Sequence, residues 1–347
     1  MKIDSLSINV SSKPFIIAEM SGNHNQSLER ALEIVEAASK AGVDAIKLQT
    51  YTPDTITLNM QDKEFFIKDS ENIWKGNSLY NLYSEAYTPW DWHQPIMEKA
   101  RDLNLICFSS PFDESAVDFL EDLNVPAYKI ASFELNHLPL IKKVALTGKP
   151  IILSTGMASL VDINEALDTI KNSSESDFAL LKCTSTYPAS SKNSNVKTIP
   201  HMRELFNCEV GLSDHTMGCG ASIASIAHGA TIIEKHFTLD RNDGGVDSSF
   251  SLEPEEMKTL VVESERAWKS LGRISYGPTK DEKNSLKYRR SIYISKDMKA
   301  GEKFDESNIK IVRPGKGISP KYFNIILGRC VSKNITKGTA LSWRLIK

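Results

Sequence analysis

Two lysines sit where an ammonium group is costly unless it is used. Lys47 lies between Ile46 and Leu48, and Lys129 between Tyr128 and Ile130. In extended chain, alternate side chains share a face, so Gln49 points the same way as Lys47. With Ser132, Ser154 and Ser213, the two lysines can hold a phosphate, the ammoniums supplying charge and the hydroxyls orientation. Lysines taken singly are more often solvated surface groups. His215 and His236 close two other apolar runs. A pair of imidazoles among oxygen donors suits Mn²⁺, Fe²⁺, Co²⁺ or Zn²⁺, with water and substrate filling the remaining positions. Two core histidines bonded to backbone are the alternative, because a pair lacks the specificity of a spaced metal motif. Glu19 ends an apolar run, where a carboxylate must be paired or used, and it is the candidate acid/base. Asp247, in Gly244-Gly245-Val246-Asp247, is either a binder of substrate hydroxyls or an ordinary turn aspartate. His24 and Asn25 are placed to orient the first loop. His93, His137, His201 and His228 fall on expected helices or loops and are assigned structural roles.

These groups need elements that bring them to one place. Residues 15–18, 43–48, 105–108, 127–130, 150–153, 178–182, 209–212 and 231–234 read as short buried strands. Helical stretches fall between them: 27–38, opened at Gln26 or Ser27 and closed by Gly42, then 89–103, 114–123, 140–147 and 162–171. Strands alternating with helices imply parallel βαβ units. Eight of them before residue 273 predict a (β/α)8 TIM barrel. A doubly wound open sheet would use fewer strands, and no G-x-G-x-x-G follows the first one. Each strand ends on polar residues: Glu19; Lys47 and Gln49; Ser109-Ser110; Lys129 and Ser132; Ser154-Thr155; Cys183 to Tyr187; Ser213-Asp214-His215; and Glu234-Lys235-His236. In a barrel these ends converge on one mouth.

Composition changes near residue 273. Residues 1–272 are expected to form the barrel domain, 273–287 a polar linker, and 288–347 a small β-rich module with strands at 291–294 and 309–312. So short a tail predicts only a weak core of its own. The formal charge of −2, from 42 basic and 44 acidic residues, argues against a general nucleic-acid surface. No apolar run approaches the ~18 residues of a membrane span. The five cysteines have no C-x-x-C spacing and read as reduced thiols in a cytoplasmic protein.

At these same residues the sequence resembles the sialic acid synthase family. The matching segments are Ile17-Ala18-Glu19 with Asn23-His24-Asn25, Ile46-Lys47-Leu48-Gln49-Thr50, Ser110-Pro111-Phe112-Asp113 and Tyr128-Lys129-Ile130-Ala131-Ser132. They continue with Leu153-Ser154-Thr155-Gly156-Met157, Cys183-Thr184-Ser185-Thr186-Tyr187-Pro188, Gly211-Leu212-Ser213-Asp214-His215-Thr216 and Glu234-Lys235-His236-Phe237-Thr238. The tail resembles the family's antifreeze-like (SAF) domain through Arg313-Pro314-Gly315-Lys316-Gly317. The resemblance implies Glu19 as the essential carboxylate and His215 and His236 as ligands of a divalent metal, Mn²⁺ first, with Mg²⁺ or Co²⁺ as alternatives. It implies Lys47, Lys129, Ser132, Ser154 and Ser213, with Ser110 nearby, as the phosphoenolpyruvate-binding set. Gln49, Tyr187 and Asp247 resemble residues lining the sugar site. Arg313 resembles the arginine that a domain-swapped partner subunit inserts, which implies a homodimer.

Ser185 replaces an asparagine of the N-acetylneuraminate branch. The loop Met20-Ser21-Gly22 and the aromatic stretch Trp74-Lys75-Gly76, Leu79-Tyr80 and Thr88-Pro89-Trp90-Asp91-Trp92-His93 instead resemble the pseudaminic acid branch. That stretch is also read as a helical hairpin over the barrel, and Met20 as an apolar wall for a sugar methyl group. The implied reaction joins phosphoenolpyruvate to the aldehyde of a 2,4-diacetamido-2,4,6-trideoxy-altrose. Synthases of N-acetylneuraminate or legionaminate share that chemistry with another sugar. A Schiff-base aldolase using Lys47 or Lys129 and a sugar- or ice-binding protein are the rivals from other classes.

Overall fold

The computed structural model of the chain describes residues 1–69 and 73–347. It divides into two compact units, Met1–Gly272 and Arg273–Lys347.

In the first unit a two-stranded hairpin, β1 (Lys2–Ile3) and β2 (Leu6–Ser7), precedes the barrel. The barrel strands are β3 (Phe15–Glu19), β4 (Ala45–Thr50), β5 (Ile106–Pro111), β6 (Tyr128–Ile130), β7 (Ile151–Ser154), β8 (Phe178–Cys183), β9 (Glu209–Ser213) and β10 (Ile232–His236). They run parallel in chain order, and β10 closes the ring against β3, with His236 opposite Glu19. This is the (β/α)8 TIM barrel that the alternation of elements predicts. The helices around it are α1 (Leu28–Ala41), α2 (Pro53–Ile56), α3 (Leu79–Ala86), α4 (His93–Asp102), α5 (Glu114–Asp122), α6 (Leu138–Leu146), α7 (Leu160–Ser173), α8 (Thr198–Phe206), α9 (Gly220–Ala227) and α10 (Pro254–Leu271). Helix α1 shows how the local sequence decides each boundary. The Ser27 hydroxyl accepts from the Arg30 N–H at its start, and Gly42 at φ 86° ends it in the left-handed region. Ala31, Ile34, Val35 and Ala38 recur at helical spacing and are fully buried.

Strand alternation sorts the barrel into two cores. Side chains facing outward, such as Ile16, Ala18, Ile46, Leu48, Leu153 and Leu212, pack beneath the helices. Inward-facing Phe15, Ile17, Ala45, Phe108, Ile152 and Leu181 fill the lower barrel, joined by Ile3 and Ile8 from the hairpin segment. One step further along each strand, the inward positions become polar, and the mouth begins there.

The long connection between β4 and β5 carries α2, α3 and a 3-10 turn, Trp90–Trp92, that runs into α4. Two buried imidazoles tie it to the barrel. His24 Nε2 lies 3.2 Å from Thr88 Oγ1. His93 Nε2 lies 2.8 Å from Thr50 Oγ1, which in turn lies 2.6 Å from Ser109 Oγ. Burial pushes both imidazoles down to a pKa of about 4. In the unfolded chain they protonate near 6.5. Below that value the unfolded state takes up protons that the folded state refuses, so each histidine lowers stability as pH falls from about 6.5 to 4. Each contributes a slope of about 1 kcal/mol per pH unit. Glu134, raised to about 7 by burial, acts in the opposite sense over part of the same range. The measurement is therefore a difference: urea midpoints of wild type and His93→Gln between pH 6.5 and 5. The variant should lose less stability per pH unit than wild type, and equal slopes would contradict the assignment.

The second unit pairs β11 (Ser291–Ile294) antiparallel with β12 (Ile309–Val312) and adds the short helix α11 (Phe323–Ile326). Ile292, Ile294, Phe304, Ile309, Ile326 and Val331 are buried together in a cluster of their own. Part of the segment expected as linker is coiled into a 3-10 turn, Asp281–Tyr288.

Candidate active site

Four charged side chains meet at the centre of the mouth, each nearly inaccessible to solvent. Lys47 Nζ lies 2.5 Å from Glu19 Oε2 and 3.9 Å from Glu234 Oε2. Lys129 Nζ donates to Glu234 Oε1 at 2.9 Å, and the Ser213 hydroxyl donates to the same oxygen at 2.9 Å. Lys47 also donates to Ser110 Oγ at 3.3 Å. Glu234 is the residue that sequence reasoning missed. It is visible there only as part of a polar strand end, and its partner Lys129 is 105 positions away. Both lysines therefore carry a counter-charge that spacing alone does not reveal.

The two carboxyls titrate as a linked pair. Burial raises the Glu19 carboxyl above its usual range, opposed by Lys47 and reinforced by Glu234. Burial also pushes Glu234 upward, but the ammoniums of Lys129 and Lys47 outweigh it and hold its pKa at about 2. The proton-accepting member is thus Glu19. Burial opposes the charge on Lys47, yet the Glu19 and Glu234 carboxylates overcome that and raise it. Lys129 is lowered, chiefly by burial.

A hydrogen-bonded chain leads from Glu19 through Gln49 and Ser21 to Asp247. Gln49 Nε2 donates to Glu19 Oε1 at 2.9 Å and to Ser21 Oγ at 3.1 Å. The Ser21 hydroxyl donates to Asp247 Oδ2, which lies 3.7 Å from His236 Nδ1. The His215 and His236 rings are 5.3 Å apart between centroids. His215 Nδ1 lies 3.0 Å from the Thr184 carbonyl oxygen, an acceptor that holds a proton on that nitrogen and leaves the lone pair on Nε2. His236 Nδ1 is buried without a hydrogen-bond partner. Burial, followed by the neighbouring His215, keeps the His236 imidazole neutral. Among the described residues no group of three or more His, Cys, Asp or Glu side chains is arranged to hold a metal ion. Two adjacent imidazoles, one of them with an orphaned buried nitrogen, fit a divalent ion whose other positions water and substrate would fill.

Tyr187 lies over the imidazoles, its ring 4.4 Å from His215 and 6.2 Å from His236. Trp74, from the long insertion, reaches it at 5.7 Å and donates its indole N–H to the Val246 carbonyl at 3.0 Å. Part of the aromatic stretch thus lines the mouth. Met20 does not. It follows inward-facing Glu19, so it points outward, and it is fully buried in the core under the helices. Met20 therefore does not supply the apolar wall expected of it. Ser132 Oγ accepts from the Gly156 N–H at 3.1 Å, and Ser154 Oγ is buried without a partner. A β-carbon at Gly156 would come within 2.0 Å of Ser185 Oγ, so the backbone there must stay bare. Glu134, also missed in the sequence, sits on the 3-10 turn Ser132–Glu134 with a buried, unpartnered Oε2. Arg313 is not part of the barrel: it follows β12 in the second unit and is exposed.

The NeuB family model matches residues 34–276, and the SAF domain model matches residues 289–347. The chain belongs to the NeuB family. Pseudaminic acid synthase of Campylobacter jejuni is 44 % identical over 333 residues, spanning 96 % of each chain. Pseudaminic acid synthase of Helicobacter pylori is 41 % identical over 331 residues, 95 % of this chain and 96 % of that one. The crystal structure of an N-acetylneuraminic acid synthetase from Leptospira borgpetersenii, in complex with citrate, superposes with a TM-score of 0.72 at 31 % identity. It covers 82 % of this chain and 94 % of its own. In this NeuB family chain, Glu19, Lys47, Gln49, Ser110, Lys129, Ser154, Ser213 and His236 lie on barrel strands, and Ser132, Tyr187, His215 and Asp247 on the segments that follow them.

Proposed function

We propose that this chain condenses phosphoenolpyruvate with the open-chain aldehyde of 2,4-diacetamido-2,4,6-trideoxy-β-L-altrose, giving pseudaminic acid and phosphate. The observation that carries this is the near full-length likeness to two pseudaminic acid synthases. The mouth offers groups suited to each part of the reaction. Lys47 and Lys129 supply positive charge to the phosphoryl and carboxylate groups, with Ser110, Ser132, Ser154 and Ser213 orienting them. Held this way, the enol carbon is presented to the aldehyde instead of meeting it by diffusion. Glu19 moves the proton required when water adds, and Gln49 and Asp247 bind sugar polar groups. Tyr187 and Trp74 form an apolar wall. His215 and His236 would hold Mn²⁺, or Mg²⁺ or Co²⁺ in its place, and the chemistry such an ion would supply there is polarisation of the aldehyde oxygen.

The test is phosphate release from phosphoenolpyruvate with a panel of amino sugars, in enzyme stripped by chelator and reloaded with one metal at a time. The 6-deoxy diacetamido sugar is expected to exceed N-acetylmannosamine in kcat/KM by roughly ten- to a hundredfold, the usual cost of a hydroxyl left without a partner. Turnover should vanish on chelation and return with Mn²⁺. Equal or better use of N-acetylmannosamine would refute the sugar assignment, and full turnover in metal-free enzyme would refute the metal.

The working form in this proposal is a domain-swapped homodimer in the cytoplasm, where phosphoenolpyruvate is made. The five unpaired cysteines accord with that compartment. Exposed Arg313, on a unit separate from the barrel, is assigned to the mouth of the neighbouring subunit, and two-fold symmetry makes both mouths equivalent. Mixed dimers of Arg313→Ala and Glu19→Gln subunits, each inactive alone, should regain up to half the wild-type activity per heterodimer. A purified heterodimer without activity would count against the swap.

A further inference from the structure

Behind the mouth, on the helix side of β9 and β10, lies a second buried ion pair that the chemistry above does not use. Lys235 Nζ donates to Asp214 Oδ2 at 2.9 Å, and each side chain is 1 % exposed. Lys235 also donates to the Thr216 carbonyl oxygen. Asp214 Oδ1 accepts from the Thr216 N–H at 2.9 Å, and Oδ2 accepts from the Ser222 hydroxyl of α9 at 2.6 Å. The Asp214 N–H donates to the Glu234 carbonyl at 2.9 Å. Ser222 is fully buried.

The placement follows from strand alternation. Ser213 and His215 face inward, so Asp214 faces the helices. Glu234 and His236 face inward, so Lys235 faces the helices as well. The pair therefore bonds the outer faces of the two segments whose inner faces carry the imidazoles. Through Thr216 it holds both backbone neighbours of His215, and through Lys235 it holds the residue before His236. Buried ion pairs contribute little net stability, and apolar replacements are often neutral or stabilising. Stability alone is thus a poor reason for four polar groups to be desolvated here. Fixing a geometry is a better one, and side chains behind a metal ligand commonly set its affinity.

We infer that Asp214 and Lys235 form a positioning pair that holds His215 and His236 at the separation and orientation a divalent ion requires. The inference rests on the metal reading above. Its test is the direct binding of Mn²⁺ to the chelator-stripped full-length protein, followed by the electron paramagnetic resonance signal of free Mn²⁺. Asp214→Asn/Lys235→Met keeps an oxygen to accept from the Thr216 N–H, turns the Ser222 contact into one in which the amide NH2 donates to the hydroxyl, and removes both charges together. It is expected to keep its thermal midpoint within a few degrees and to bind Mn²⁺ ten- to a hundredfold more weakly. Turnover should recover at high Mn²⁺, so the metal half-saturation point rises while kcat at saturation changes little. A merely structural role would instead lower activity equally at every Mn²⁺ concentration.

Wild-type affinity in the folded double variant overturns the inference. The His215→Ala/His236→Ala control is read beside it. If that control binds Mn²⁺ as wild type does, the metal reading fails and this inference falls with it. If only the control loses binding, the metal reading stands and the positioning pair alone is refuted. Should the double variant not fold, Ser222→Ala decides. It removes a single hydrogen bond to Asp214 and should weaken Mn²⁺ binding severalfold at an unchanged thermal midpoint; unchanged binding refutes the inference.

Discussion

Glu19→Gln is expected to lower kcat by about a thousandfold while leaving the barrel folded. General acid/base groups contribute on the order of 10²–10⁴ to rate, and Glu19 is the member of the buried carboxyl pair that accepts a proton. Glutamine has the same shape. It retains one oxygen, which can accept from Lys47 in place of Glu19 Oε2, while its NH2 group replaces the Oε1 that accepts from Gln49 at 2.9 Å. What disappears is the titratable proton and one negative charge beside Lys47. Losing that charge leaves the mouth more positive, so the KM for phosphoenolpyruvate should stay level or fall. Steady-state phosphate release gives both constants, and a thermal melt reports the fold. A kcat within tenfold of wild type would remove Glu19 from the chemistry.

Lys129→Met should damage both folding and substrate binding. Methionine fills much of the same volume but leaves Glu234 with the Ser213 hydroxyl and a lysine 3.9 Å away. Removing one partner of a buried ion pair costs about 3–5 kcal/mol, which lowers the melting temperature by roughly 10 °C in a domain of this size. The KM for phosphoenolpyruvate should rise by about a hundredfold, as expected for a lost charge-assisted contact to phosphate. A second substitution separates the effects. Lys129→Met/Glu234→Gln removes the orphaned charge and should regain most of the stability without regaining substrate affinity. A single variant with wild-type melting and wild-type KM would contradict both parts.

The barrel was readable from the sequence because buried parallel strands are nearly continuous apolar runs, and their ends change abruptly to polar residues. Residues 15–18 and 231–234 mark β3 and β10 for this reason. The hairpin of β1 and β2 was not readable: strands of two residues are too short for a period to emerge. In the mouth, residue types were visible but their pairings were not. Glu234 meets Lys129 only because β6 and β10 face one another across the barrel, a relation that exists after closure. Glu134 lies on a 3-10 turn with no periodicity to mark its direction. Met20 is the opposite case. Alternation from inward-facing Glu19 directs it outward, so its position directly after the strand decides its partners and the flexible thioether side chain does not.

Barrel closure also bears on how the chain is made. Phe15 pairs with Ile232 and Glu19 with His236, so the ring cannot shut until nearly all of the first unit has left the ribosome. Until then β3 and the strands after it expose open edges, the kind of surface that invites association between nascent chains. Ile3 and Ile8, synthesised before the barrel strands, wait for a lower core whose last member, Ile232, comes late. Long-range pairings of this kind are slow to form. Expression at low temperature or with more chaperone should raise the yield of soluble chain, and truncation before residue 232 should give aggregates instead of a smaller barrel.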